Sequence, residues 1–223
     1  MVRSMKEKYY TEKNIEKQAK KFLDEIAYLR DSHNWNLDKK KAALLVIDMQ
    51  KYFVDESSHF CILSARAIVK NIKNLQDAFL AHHLPVFQTR HLNTEQNAGQ
   101  MLGWWGELIR EEDPLSEIVD DLHDDRIEII NKSQYDALLN TNLETLLKYK
   151  EIGLVVVTGV MTHLCCESTT RGAFMRGFEV LFTIDASATH HEDFHRATLM
   201  NLAHGFAVPV LTSELLSELD QKT

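Results

Sequence analysis

Cysteine is scarce in this chain: there are only three thiols, and two of them, Cys165 and Cys166, are adjacent. So few cannot build a disulfide framework, and the expected compartment is a reducing cytoplasm. With 8 Gly and 3 Pro in 223 residues, collagen-like and low-complexity readings are excluded. No apolar run approaches the roughly 18 residues of a transmembrane helix, and the start of the chain carries no apolar signal segment. Positive charge is in deficit, at a net −8, which argues against non-specific nucleic-acid binding.

Present instead is enough apolar material for a core, 44% of residues, in a length that suits one α/β domain. Charge is uneven, with 11 Lys/Arg against 7 Asp/Glu in residues 1–41 and an acidic remainder. Residues 5–30 read as a helix whose Ile15, Ala19, Phe22, Ile26 and Leu29 make one apolar stripe. That stripe needs a cover, either the chain's own domain or a second subunit. We therefore divide the chain into a helical leader, 1–36, and a single domain, 37–223.

From Ala42 onward, short apolar runs alternate with helical stretches. Strands are predicted at Ala43–Ile47, Pro85–Thr89, Ile127–Ile130, Leu154–Val157, Val180–Ile184 and Val208–Leu211, with a helix over Ile62–His83. Thr141-x-x-Glu144 and Thr189-x-x-Glu192 read as capping boxes that open two more helices. The repeat implies a three-layer α/β/α, Rossmann-like fold on a six-stranded, mainly parallel sheet. The long segment from His91 to Asp121 carries Trp104 and Trp105 and suits a pocket wall.

Ligands of such sheets bind at the carboxyl ends of strands. Asp48 follows the first strand, Lys132 the third, and the turn Gly159-Val160-Met161-Thr162-His163-Leu164-Cys165 the fourth. An acid, a cation and a thiol are thus aimed at one edge. Cys165 sits where a helix should begin, so the helix dipole and Lys132 are expected to favour its thiolate, with Asp48 as proton acceptor. Buried packing is the alternative role for any such Cys. It is less easily given to Asp48, since an unpaired buried carboxylate is costly.

Leu45-Val46-Ile47-Asp48-Met49-Gln50, then Lys132, then Gly159-Val160-Met161-Thr162-x-x-Cys165 with Thr169 downstream, resembles the isochorismatase-like cysteine hydrolases over about residues 40–215. The resemblance implies an Asp48–Lys132–Cys165 triad, a cis peptide between Val160 and Met161, and an oxyanion hole from the backbone N–H groups of Met161 and Cys165. It implies no cofactor, a small-molecule substrate and a homo-oligomer. Candidate substrate-binding residues are Tyr52, Phe53, Trp104, Trp105, Tyr135 and His163.

The leader, Trp105-Gly106 and Ala173-Phe174-Met175 are similar to the siderophore and phenazine isochorismatases. Those enzymes generally carry Gly at the position of Cys165 and cleave a vinyl ether of a dicarboxylate, held partly by an Arg before the Trp-Gly pair. Here the thiol is kept, and no Lys or Arg lies between Arg90 and Arg110. Both departures favour amide-type C–N hydrolysis, with vinyl-ether chemistry through Asp48 as the alternative and a catalytically silent binding protein as a third reading. Asp136 also departs from the family, where a small Ser is usual, and puts a borrowed pocket in doubt. Asp55-Glu56-Ser57-Ser58-His59 lacks the Asp-x-His spacing of a nicotinamidase metal site, so no metal is expected. His191-Glu192-Asp193-Phe194-His195 matches the zinc-peptidase pattern H-E-x-x-H, but a solvated helix start explains it better.

Overall fold

Six short apolar segments become the strands of one sheet in the computed structural model, which describes residues 6–221. They are β1 (Ala42–Ile47), β2 (Val86–His91), β3 (Glu128–Lys132), β4 (Leu154–Val160), β5 (Glu179–Ala188) and β6 (Val208–Val210). All neighbours are parallel, in the spatial order β3-β2-β1-β4-β5-β6. Every residue of β1 and β4 is buried, as uninterrupted apolar runs require when helices cover both faces of a sheet.

The helices are α1 (Ile15–Arg30), α2 (Lys51–Val54), α3 (Ala65–Ala81), α4 (Met101–Trp105), α5 (Leu143–Tyr149), α6 (Glu167–Met175), α7 (Glu192–Gly205) and α8 (Thr212–Asp220). The stripe of α1 buries Ile15, Ala19, Phe22 and Ile26 against α7, β5 and β6. Each large side chain buried this way stabilises by roughly 2 kcal/mol relative to exposure. The cover is the chain's own, so the stripe no longer argues for a second subunit.

Three local expectations are corrected. The leader helix starts at Ile15 rather than at residue 5, which lies outside the described residues. Upstream, backbone donors are committed elsewhere: Tyr9 and Tyr10 N–H both bond Ser64 Oγ at 3.1 Å, and Thr11 N–H bonds Asn14 Oδ1 at 2.7 Å. Thr141 does not cap with Glu144. Its hydroxyl accepts from Leu143 N–H at 3.2 Å, while Glu144 pairs with Lys148 and Arg176. The cap of α7 is His191, whose Nδ1 accepts from Asp193 N–H at 3.2 Å.

The strand order reverses between β1 and β4, and these two strands run side by side from Ala42↔Leu154 to Ile47↔Gly159. Gly159 holds φ at +109°, and a Cβ there would meet the Ile47 carbonyl oxygen at 2.1 Å. Only glycine lets β4 lie this close to β1, and the chain leaves both strands at that point.

Candidate active site

Asp48 directly follows β1, and its backbone turns sharply, with φ at +49°. Thr89, on neighbouring β2, holds it twice: Asp48 N–H donates to Thr89 Oγ1 at 3.0 Å, and that hydroxyl donates to Asp48 Oδ1 at 2.6 Å. The other carboxylate oxygen, Oδ2, lies 2.8 Å from Lys132 Nζ, with both side chains wholly out of solvent. Lys132 ends β3, two strands from β1, and reaches across β2 to make the pair.

Cys165 stands in a wide π-helical turn, Thr162–Cys166, between β4 and α6. Met161 O closes the turn by accepting from Leu164 N–H at 3.0 Å and Cys166 N–H at 3.2 Å. The Val160–Met161 peptide is cis. Cys165 Sγ lies 3.3 Å from Lys132 Nζ. Acid, ammonium and thiol, from three separate parts of the chain, are therefore in contact.

A fourth group joins them. His91 ends β2 in register with Lys132, and its Nδ1 lies 3.3 Å from Lys132 Nζ. His91 Nε2 donates to Asn93 Oδ1 at 2.7 Å, and Asn93 is oriented in turn by donating to Ser133 O at 2.9 Å. Nδ1 is thus the lone-pair nitrogen facing the ammonium. The donor atoms of Asp48, His91 and Cys165 lie within 4.8 Å of one another. Lys132 Nζ stands among them, 2.8 to 3.3 Å from an atom of each, and is the cation they share.

Burial sets the protonation states. It pushes the Cys165 thiol up to about 12 against the opposing pull of Lys132, with Asp48 adding to the rise. The dipole and Lys132 were expected to favour the thiolate, but at 5% exposure desolvation outweighs them. Burial lowers Lys132, yet the Asp48 charge and the Cys165 sulfur more than offset this and hold it at about 12. Burial and the Lys132 charge bring His91 down to about 4. At neutral pH the site therefore holds a charged Lys132, a neutral His91 and a protonated thiol.

Above Cys165 lies a small cavity of about 50 Å³, lined by Tyr52, Phe53, Phe60, His91, Asn93, Met101, Trp105, Glu107, Ile109, Tyr135, Met161 and Leu164. Tyr52 and Phe60 stack at 5.5 Å, and Trp105 Nε1 donates to Tyr135 Oη at 2.8 Å. Glu107 is engaged by Tyr52 Oη at 3.1 Å and by His59 Nε2 at 2.9 Å.

Four expected pocket residues, Tyr52, Phe53, Trp105 and Tyr135, do line the cavity; two do not. Trp104 is 78% exposed: consecutive residues of α4 point about 100° apart, so only Trp105 turns inward. The His163 ring faces away, with Nδ1 2.7 Å from Thr189 Oγ1 and the ring stacked on Phe194 at 4.5 Å. Asp136 also lies off the cavity wall, against Gly172 and 3.2 Å from Arg176. The H-E-x-x-H histidines do not converge: His195 is buried among Tyr9, Tyr10 and Phe22, and Glu192 pairs with Arg196. His91, Phe60, Met101 and Leu164 were not anticipated.

The chain is similar to known proteins over most of its length. The isochorismatase domain family matches residues 42–214. Nicotinamidase 3 of Arabidopsis thaliana is 41% identical over 175 residues, covering 76% of this chain and 84% of its own. Enterobactin synthase component B of Escherichia coli K12 is 30% identical over 186 residues, covering 82% of this chain and 65% of its own. The crystal structure of a cysteine hydrolase from Pseudomonas syringae superposes with a TM-score of 0.80 at 25% identity, covering 84% of this chain and 96% of that one.

Proposed function

The chain belongs to the isochorismatase family of hydrolases, and from that premise we propose that it cleaves a small, uncharged, planar carboxamide through a thioester on Cys165. The cavity lining supports this substrate class best. It is aromatic and aliphatic, no Lys or Arg is among its residues, and its one acid, Glu107, is already engaged by Tyr52 and His59. A dicarboxylate entering it would meet no free counter-charge, since Lys132 behind Cys165 is already paired with Asp48, and this disfavours vinyl-ether cleavage of the kind done by isochorismatases. The 41% identity to a plant nicotinamidase makes a pyridine carboxamide the first compound to try.

In the proposed reaction Asp48 takes the proton from Cys165 Sγ as the sulfur attacks the amide carbon. The Met161 and Cys165 N–H groups receive the oxyanion. Collapse breaks the C–N bond, and Asp48 passes its proton to the leaving amine. The same carboxylate then deprotonates water, which attacks the thioester and returns the thiol and a free carboxylate product. Lys132 remains charged throughout and holds Asp48 and the sulfur in contact. Tyr52, Phe53, Trp105 and Tyr135 flank the ring of the substrate.

Ammonia release from a panel of aromatic and aliphatic carboxamides tests the assignment, with Cys165→Ser as the control. Turnover of neutral aromatic amides by the wild type alone is expected. Turnover of isochorismate by Cys165→Ala, without amide hydrolysis, would establish the vinyl-ether reaction instead.

A cytoplasmic location fits three free thiols and the lack, among the described residues, of a helix able to cross a membrane. A homo-oligomer is supported by exposed Phe174, Met175 and Met200 on α6 and α7, and light scattering at micromolar concentration measures it.

A further inference from the structure

The leader segment ahead of α1 crosses the carboxyl edge of the sheet and touches both sides of the site. On the pocket side, Lys6 Nζ bonds the His59 carbonyl, and Ser64 Oγ accepts from Tyr9 and Tyr10 N–H at 3.1 Å. On the nucleophile side, Tyr9 Oη accepts from Thr189 N–H at 2.9 Å, and Thr189 Oγ1 holds His163 at 2.7 Å. His195 joins the remaining members. Its Nδ1 is 3.3 Å from Tyr9 Oη and 3.1 Å from Thr162 Oγ1, and its Nε2 is 3.4 Å from Tyr10 Oη. Tyr10 donates its own hydrogen to Ile184 O at 3.0 Å, so it accepts from His195 Nε2–H, and Nδ1 is left as the one acceptor that the Tyr9 and Thr162 hydroxyls share.

Tyr10, Thr162 and His195 are fully buried and Tyr9 is 5% exposed, in an aromatic cage closed by Phe22 of α1. Thr162 follows Met161 directly and opens the turn that ends at Cys165 and Cys166. The segment therefore does more than cover apolar surface, because its hydroxyls complete the polar anchoring of the two residues that begin this turn.

We propose that Tyr9 and Tyr10 are positioning residues for the nucleophile: through His195 and Thr189 they hold Thr162 and His163, and so fix the Met161–Cys165 turn. For its effect on turnover the proposal rests on Cys165 being the nucleophile, but the rigidity of the turn can be read without any substrate. Buried hydrogen bonds of this kind are individually modest, yet misplacing a reacting group is felt strongly in rate.

The test uses the full chain and five variants: Tyr9→Phe, Thr162→Val, their double, His195→Asn and His195→Leu. Hydrogen exchange of the peptide spanning 160–167 is expected to accelerate about 10-fold in Tyr9→Phe, while peptides from β1 and β4 keep wild-type rates. On a carboxamide that the wild type turns over, kcat should fall about 5- to 10-fold with KM within about 2-fold. The double variant should be no slower than the slower single, since both cut one network. His195→Asn, which keeps an acceptor where Nδ1 stands, should recover most of the kcat lost in His195→Leu. Unchanged exchange in the turn, exchange raised equally across the sheet, or a double variant whose losses multiply would each overturn the proposal. Should the wild type hydrolyse no carboxamide, the functional assignment fails, and the exchange arm still decides this one.

Discussion

His91 Nδ1 and Lys132 Nζ lie 3.3 Å apart, which gives the ammonium one more acceptor than it has hydrogens. Asp48 Oδ2, the Gln134 carbonyl oxygen, Cys165 Sγ and His91 Nδ1 all stand within 3.3 Å of a group with three N–H bonds. His91 therefore competes with the sulfur for Lys132. His91→Phe keeps the ring in the pocket wall and removes the competitor. Alkylation of Cys165 by iodoacetamide, followed against pH, is expected to shift toward lower pH by about one unit, the worth of one charge-assisted hydrogen bond. A profile that does not move, or moves upward, would show that His91 does not share the ammonium.

Much of this site was legible because its three central residues obey one rule: each stands at, or a few residues beyond, the carboxyl end of a strand. The same rule applied to β2 points to His91, but the second strand was predicted to stop at Thr89. It runs on through Arg90 to His91, which pairs with Lys132 in register. Polar residues at the last turn of a strand near a site hid the boundary. Phe60, Met101 and Leu164 gave no signal, since they come from short or irregular segments without periodicity.

The helix start at Ile15 was hidden for a different reason: its upstream donors are taken by Ser64, a residue more than 50 positions away. The state of the thiol is not legible in the sequence because the charge of Lys132 is not free to stabilise a thiolate. Asp48 already neutralises that charge at 2.8 Å, so burial decides.

Replacing Asp48 should separate two properties that usually move together. A thiol that burial holds far above its ordinary value is almost entirely protonated at neutral pH, so Asp48 must take the proton within the reaction step. Asp48→Asn removes that base and is expected to slow amide turnover by about 10²- to 10⁴-fold. The Asp48 charge also raises the thiol, and it occupies Lys132. Its removal should therefore speed alkylation of Cys165 at mildly alkaline pH. Parallel loss of both reactivities would refute the assigned roles.

Gly172 on α6 is fitted to Asp136. A Cβ at Gly172 would lie 2.5 Å from Asp136 Oδ2, and that carboxylate cannot easily withdraw, being held by Leu138 N–H at 2.8 Å and Arg176 at 3.2 Å. Gly172→Ala is expected to destabilise by about 1–3 kcal/mol despite the better helix propensity of Ala. In an Asp136→Ala background the clash is gone, and the same change should stabilise by about 1 kcal/mol. Denaturant midpoints of the four proteins give the coupling; two independent, additive effects would mean the carboxylate moves aside without cost.

Acid should weaken the fold through His195. Burial, with Arg196 adding, lowers it from 6.5 to about 3 in the native state, whereas in the unfolded chain it regains its ordinary value. Between those two pH values the unfolded state binds a proton that the native state refuses, so stability falls as pH falls. The contribution is fully present above about pH 6.5 and is lost progressively toward about pH 3, at about 1.4 kcal/mol per unit. Between about pH 7.5 and pH 5 the wild type should lose about 2 kcal/mol more than His195→Asn, which has nothing to titrate at that position. Urea unfolding at the two pH values measures the difference, and equal losses in both proteins would mean that the cage around Tyr9, Tyr10 and Phe22 admits a charged imidazole.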